Sequence, residues 1–505
     1  MIYNFEESYD ESIAERICRI NDVDPRELCI DDFTPDMNMD LLVKFREKIL
    51  SLKDARFFIV GDYDCDGICG LAIIKKLLDD LGIRNNYYIP SRSKEGYGLN
   101  MNIVKTAIDN GFDVLLTIDN GIVANDELRY AKENGLTTLV IDHHEYLDEP
   151  DCDMYLHPDL FAEEYHDMCA GGLACLLSIS FRDDSLSKVY GGLATLADMV
   201  SVLRYNRYLL KEMMRILESE DIHTIRLLLG NNELSYDSLS FNVIPKINAV
   251  SRLDAYGNVN HVVRYLLSDR QKCLPYLKNI ETINRKRQEL TRRNYELVLN
   301  MIDDSAKVIV VRSPEFIEGI CGLIANKLMN AYHKPAIVLS EADGKLKGSG
   351  RSPNGCNLYE YLYGTKDLFE TFGGHAQALG LSLDEKNYDG LISFIEENEL
   401  MYQEVAKDVV LLRNEDLDFR TYEDIEGLRP FGTGFPEPLI GVAHCAGMKK
   451  MVMAKKYPKF FLNGICSAIS FNTAYLDKEF DTMIGHLKKD NYYRDKLSLF
   501  IEELI

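Results

Sequence analysis

The sequence has no long hydrophobic run, no CxxC cysteine pair and fewer basic than acidic residues. No stretch approaches the roughly 18 apolar residues of a transmembrane helix, which excludes a conventional span. The opening residues, MIYNFEESYDESIAERI, are acidic and lack an apolar segment, which speaks against a secretory signal. The 12 cysteines include no CxxC pair, and Cys65 and Cys69 have neither zinc-finger nor disulfide-framework spacing. Free thiols in a reducing, cytoplasmic compartment are expected. Lys and Arg number 57 against 81 Asp and Glu, a net charge of 57 − 81 = −24. A non-specific polyanion binder would ordinarily be basic. The deficit leaves a nucleic-acid enzyme open, because a site made of carboxylates needs cations before it admits a phosphate. There is no internal repeat and no low-complexity tract.

What is present is a long chain of ordinary globular composition. Its 505 residues exceed the roughly 250–300 that one core supports, so several domains are expected. ARFFIV, NNYYIP, FDVLLTID and LTTLVID read as strands, alternating with helical segments that end in Asn-Gly. That alternation predicts an α/β domain with a parallel sheet over residues 1–268. Residues 269–303 read as a connecting helix with a basic middle, Arg285-Lys286-Arg287 and Arg292-Arg293. A second α/β pattern, with glycine-rich KGSGRS and FGGHAQALG, occupies 304–399. Short strands and turns over 400–505 predict a small β domain, with an OB-fold leading.

The acids and imidazoles fall at strand ends. Asp62, Asp64 and Asp66 follow ARFFIV at a spacing of two, Asp119 ends FDVLLTID, and Asp142-His143-His144 ends LTTLVID. In an open parallel sheet these ends line one crevice. Carboxylates massed at about 4 Å repel one another unless cations intervene. Oxygen ligands with one imidazole suit Mn²⁺ or Mg²⁺ better than zinc. Singly, each acid is an ordinary helix cap or turn former. Together they read as a site.

GDYDCDG, TIDNGI, IDHHE and LATLADMV resemble, in order, the four metal-binding motifs of the DHH phosphoesterase superfamily. IPSRSKEGYGL, IPKINAVSRL, NRKRQE, KGSGRS, FGGHAQALGL and LRPFGTGFPEP extend the resemblance to its RecJ branch of single-strand-specific 5′→3′ exonucleases. The three regions then correspond to a DHH domain, a DHH-associated domain and an OB-like nucleic-acid-binding domain. The resemblance implies a metal-dependent enzyme of DNA repair and recombination, releasing 5′-mononucleotides from single-stranded DNA with two Mn²⁺ or Mg²⁺ ions per site. It implies Asp62, Asp64, Asp66, Asp119, His143 and Asp198 as metal ligands, with Asp119 bridging. Asp142, His144 and His375 would orient ligands or meet the scissile phosphate. Ser349, Gly350 and Arg351 would clamp the 5′-terminal phosphate, by a guanidinium fork and backbone amides freed by glycine. Gly373, Gly374, Arg92, Asn248 and Arg252 would contact the strand. Lys449-Lys450, Lys455-Lys456 and Lys459, with Tyr457, Phe460 and Phe461, would receive incoming single strand by charge and stacking. The implied partners are single-stranded DNA with a 5′ end and a single-strand-binding protein or helicase, with the chain acting as a monomer away from membranes.

Val250 and Ser251 stand where the family has Ala and Gly, His157 where Asn is usual, and Cys65 where Ala or Val is typical. None removes a ligand. The competing readings are a DHH phosphodiesterase for short RNA or cyclic dinucleotides, and a RecJ-like replication scaffold. The NAVSRL, RPFGTGFPEP and OB-like segments disfavour the first, and the complete ligand set disfavours the second.

Overall fold

A computed structural model of the chain describes residues 2–28, 33–303, 305–403, 405–490, 493 and 495–505. Cys29 and position 304, the boundary expected between connecting helix and second α/β domain, lie outside the described residues. The chain packs as two units: Pro35–Asp198 with Leu209–Gln403, and the remaining described residues.

The first unit is built on two sheets. Strands Phe57–Gly61, Val114–Ile118 and Thr137–Ile141 are short apolar runs without alternation, and the first two are buried along their whole length. Burial on both faces is what a parallel sheet with helices on each side demands. With Asn85–Tyr88 and Met154–Leu156 they form a five-stranded, all-parallel sheet. Numbered by chain position, its order is 2-1-3-4-5. The order therefore reverses between Phe57–Gly61 and Val114–Ile118, and ligands of doubly wound folds bind outside the carboxyl ends of strands at such a point. Helix Cys65–Asp80 is nearly all buried over its first ten residues and packs against helices Ala170–Phe181 and Ser185–Asp198.

The second sheet of this unit runs Phe369–His375, Ala378–Asp384, Lys345–Arg351, Ala336–Ala342, Ile309–Ser313. All its pairs are antiparallel except the last. KGSGRS thus lies in a strand up to Arg351, and FGGHAQALG forms two strands of a hairpin joined by a turn at Ala376-Gln377. Residues 269–303, expected as a connecting helix, contain the 25-residue helix Leu274–Val298.

The other unit holds one eight-stranded sheet. Its strands at Lys407–Leu411, Tyr457–Phe461, Cys466–Ile469, Met483–Lys489 and Leu497–Leu504 match the short runs read from the sequence. Its edge strand Tyr3–Glu6 pairs in parallel with Lys407–Leu411. The amino-terminal residues therefore belong with the carboxyl-terminal sheet, which departs from the expected 1–268 grouping. A half-exposed four-residue strand carries no sign of a partner some 400 residues away. Phe460, expected among the stacking residues, is 2% exposed and packs on Phe480, so its ring serves the core. Phe461 is exposed, and Lys456 Nζ lies 4.7 Å over the Tyr457 ring. No helix among the described residues is long and apolar enough to cross a membrane.

Candidate active site

The strand ends at the reversal point collect the predicted acids. Asp64 caps helix Cys65–Asp80, its Oδ1 accepting from the amides of Asp66 (3.0 Å) and Gly67 (3.2 Å). Asp66, at 1% exposure, is turned into the first turn of helix Ala170–Phe181 and accepts from Ala170 N (3.0 Å) and Gly171 N (2.6 Å). Only glycine fits at 171, because a Cβ there would lie 2.4 Å from Ala194 Cβ and 2.7 Å from Asp66 Oδ1. Asp119 sits just past its strand with φ of 61°, a left-handed conformation that costs on the order of 1 kcal/mol and aims its carboxylate into the crevice.

His143 stands at the middle. Its Nε2 lies 3.3 Å from Asp119 Oδ1, 3.6 Å from Asp198 Oδ2 and 3.8 Å from Asp66 Oδ2. Three triads result, each able to converge on one ion: Asp66, His143 and Asp198; Asp62, Asp64 and Asp119; and Asp119, His143 and His144. Asp62 Oδ1 and Asp119 Oδ1 are buried without a hydrogen-bond partner among the described residues. Orphaned anionic oxygens of this kind are what a divalent cation satisfies, and the oxygen-rich donor set fits Mn²⁺ or Mg²⁺.

Electrostatics point the same way. Burial, then the charge of Asp64, pushes Asp66 up to about 7 and raises Asp62 well above the carboxylate range. Burial, then Asp66, pushes Asp198 up to about 8 and raises Asp119 strongly. Burial and His144 push His143 down to about 4, leaving a neutral imidazole fit for a metal.

Asp142 and His144 form a separate pair. Asp142 is buried and accepts from Ile122 N (3.0 Å) and His143 N (2.8 Å), and His144 Nδ1 lies 2.7 Å from its Oδ1. Burial would lower the His144 pKa, but the Asp142 bond outweighs it and raises it to about 9. His144 is therefore an imidazolium at neutral pH. Tyr97, named by the sequence only within its motif, donates to the Asp119 carbonyl (3.0 Å) and meets His144 Nε2 at 3.1 Å. His157 Nε2 is 3.2 Å from the His144 carbonyl, so the imidazole in place of Asn braces this loop.

The predicted phosphate contacts gather as a guanidinium cluster. Arg252 is pushed down to about 9 by burial and then by Arg92, Arg287 and Arg351. Burial and Arg92 lower Arg351 as well. An arginine stays charged at neutral pH regardless, so the direction measures how strongly this corner favours an anion. Helix Glu318–Tyr332 approaches so closely that a Cβ at Gly319 would lie 2.0 Å from the Arg252 carbonyl, and Arg252 Nη1 donates to Gly319 O (3.3 Å). Arg287 joins the cluster although the sequence marked only a basic helix. Its signal was the arginine of NRKRQE, indistinguishable there from its neighbours.

One expectation changes. Strand Lys345–Arg351 is paired on both sides, so the amides of Ser349 and Gly350 are committed to the sheet. Any clamp here consists of the Ser349 hydroxyl and the Arg351 fork. Gly373 and Gly374 lie on the edge strand, which leaves that edge open, and His375 is exposed near enough to His143 to act on its charge. Among the described residues Asn248 Oδ1 is buried without a hydrogen-bond partner, and Val250 and Ser251 pack inward. A cavity of about 620 Å³ runs beside Tyr63, Arg92, Tyr97, Lys347, Ser349 and Gly373.

Comparison with known proteins matches three segments of the chain. Residues 56–197 match the DHH family N-terminal domain, 305–399 the DHHA1 domain and 410–503 the RecJ OB domain. The single-stranded-DNA-specific exonuclease RecJ of Bacillus subtilis is 28% identical over 84% of this chain and 57% of its own length. That of Thermus thermophilus is 30% identical over 81% and 63%, and that of Escherichia coli 27% over 81% and 78%. The chain thus spans about three fifths of the first two. The structure of RecJ with Mn²⁺ from Thermus thermophilus superposes with a TM-score of 0.84 at 24% identity, covering 98% of this chain and 77% of that one. An exonuclease RecJ bound to manganese superposes at 0.62 with 28% identity, covering 72% and 96%.

Proposed function

Because the chain belongs to the DHH family, in its RecJ branch, we propose that it is a metal-dependent exonuclease degrading single-stranded DNA from the 5′ end to 5′-mononucleotides. The observation that carries this reading is the pairing, within one packed unit, of a carboxylate–imidazole centre with a cluster of four arginines.

Asp66, His143 and Asp198 would hold one divalent ion and Asp62, Asp64 and Asp119 the other, with Asp119 close enough to both triads to bridge. When bound, a pair of such ions supplies an acidified water and stabilises the leaving oxygen of an in-line displacement. The protein's own groups do the rest. Asp142 holds the His144 imidazolium, whose proton is directed to the scissile phosphate or the departing 3′ oxygen. Ser349, Arg351, Arg92, Arg252 and Arg287 bind the terminal phosphate and the strand, which sets the polarity. Gly373, Gly374 and His375 would border the nucleotide between clamp and centre, and Asn248 would contact the strand.

The OB domain would receive incoming strand through its lysines, the half-buried ring of Tyr457 and the exposed ring of Phe461. A cytoplasmic monomer supplied by a single-strand-binding protein or helicase, in repair and recombination, completes the reading. The eleven described cysteines, none in a disulfide, fit that compartment.

The test is a substrate panel with Mn²⁺: single-stranded DNA, single-stranded RNA, duplex DNA and a cyclic dinucleotide at equal concentration. Single-stranded DNA should be hydrolysed fastest by at least about tenfold, and chelation should abolish turnover. Faster hydrolysis of the cyclic dinucleotide or RNA would overturn the substrate assignment.

A further inference from the structure

Arg92 lies in an exposed loop, yet the cluster it joins needs it at one place. The loop is pinned from outside. One oxygen of Asp254, Oδ2, accepts from Ser91 Oγ (2.6 Å), Ser93 N (2.9 Å) and Ser93 Oγ (2.7 Å), so the residues on both sides of Arg92 hang from a single atom. Glu95 closes the same loop, accepting from Ser91 N (2.8 Å) and the Tyr88 hydroxyl (2.7 Å). On the cleft side the Arg92 guanidinium lies 5.2 Å over the ring of Tyr63, the residue between Asp62 and Asp64.

We propose that Asp254 is a positioning residue for the 5′-end clamp, holding Arg92 in register with Arg252 and Arg351. The inference rests on the end-clamp reading above. Asp254 follows Arg252 by two residues at the end of helix Ile244–Arg252, so one turn of chain places one clamp arginine directly and the other through the serines. Among the described residues its carboxylate meets no guanidinium: its bonds go to the serine loop. Burial would raise its pKa, but the bonds from Ser91 and Ser93 carry it below the usual range, the mark of an anion fully engaged by donors. A loop left free would present Arg92 over a range of positions, and an error of about 1 Å in a positioned group can cost on the order of 10²-fold.

The geometry also separates anchoring from charge. All three bonds meet one oxygen, and the carbonyl of an asparagine can occupy that place. Asp254→Ala should lower the preference for a 5′-phosphate, measured as the ratio of KM values for matched 5′-hydroxyl and 5′-phosphate strands in Mn²⁺, by about tenfold or more. Asp254→Asn should keep most of it. In an Arg92→Ala background Asp254→Ala should change the ratio no further. Should Asp254→Ala fail to fold by thermal melting, the Ser91→Ala, Ser93→Ala pair removes the two hydroxyl bonds, leaves the Ser93 amide bond and should lower the ratio in the same direction. An unchanged ratio in the folded alanine or double-serine variant overturns this inference alone. Equal loss in Asp254→Asn and Asp254→Ala assigns the effect to charge and overturns the anchoring. A wild type without 5′-phosphate preference overturns the clamp and this inference together.

Discussion

His144 Nδ1 and Asp142 Oδ1 lie 2.7 Å apart, with the carboxylate buried and the imidazole half-exposed toward the acidic centre. The pair keeps a proton on His144 up to about pH 9. If that proton serves the reaction, kcat should fall as pH rises through the pKa of this pair, which bound cations bring below its metal-free value of about 9. Asp142→Asn removes the partner that outweighs burial, so the falling limb should move to lower pH. At pH 8 kcat should drop about tenfold or more, since each unit of pKa below ambient pH cuts the protonated fraction about tenfold. A pH–rate profile of the two proteins checks this, and an unmoved limb would assign the proton elsewhere.

Protonated carboxylates at the centre predict how the metal-free protein responds to pH. Asp66 and Asp198 titrate at about 7 and 8 in the fold but near 3.9 in the unfolded chain. Between pH 6.5 and 9 the folded state holds protons that the unfolded chain has released, so stability falls as pH rises. His144, raised to about 9, acts in the same direction, and His143, lowered to about 4, is mainly neutral in both states over this range. Tm of the chelated protein should therefore decline across this window. Mn²⁺ should flatten the decline by taking the place of the protons. A chelated protein with constant Tm would contradict the crowding of these acids.

Arg351→Ala should weaken capture of a 5′-phosphate end by about 10–150-fold, the equivalent of roughly 1.5–3 kcal/mol for one charge-assisted bond. Lysine should restore part of this, keeping the charge without the planar fork. Titration with Mn²⁺ should be unaffected in both variants. Equal slowing on 5′-phosphate and 5′-hydroxyl strands would make Arg351 a backbone contact.

Arg287 should behave as a strand contact with no end preference. Its replacement by alanine should reduce the slope of log K against log salt on a single strand by about 0.7, one phosphate contact. A fluorescence titration at several salt concentrations reads this directly. An unchanged slope would leave Arg287 a structural neighbour of Asn284, to which its Nε donates (3.1 Å).

The site was legible where chemistry coincides with periodicity. Phe57–Gly61 and Val114–Ile118 had to be apolar throughout to sit between helices, so the acids after them stood out as strand ends. Asp198 gave no such sign. It ends a buried helix, and only the LATLADMV resemblance pointed to it. Arg287 was hidden among Arg285 and Lys286, because helical spacing does not tell which basic residue faces a cleft. KGSGRS gave no sign of a paired strand, since glycine usually weakens strands. It is tolerated because a Cβ at Gly348 would lie 1.9 Å from the Val338 carbonyl, and that close packing appears only once the sheet is assembled. The strand Tyr3–Glu6 was illegible for the opposite reason, since its partner is set by long-range topology alone.

The central claim is that a two-ion centre and an end clamp together remove the 5′-terminal nucleotide. The most direct measurement is a single-turnover time course in Mn²⁺ on one single-stranded DNA labelled at its 5′-phosphate or at its 3′ end, for the wild type and Asp119→Ala. The 5′ label should appear first as a mononucleotide while the 3′ label stays in long strands. Asp119→Ala should slow this by at least about 10²–10³-fold, the usual cost of losing one electrostatic stabiliser. Mononucleotides released first from the 3′ label, or near-wild-type turnover by Asp119→Ala, would contradict it.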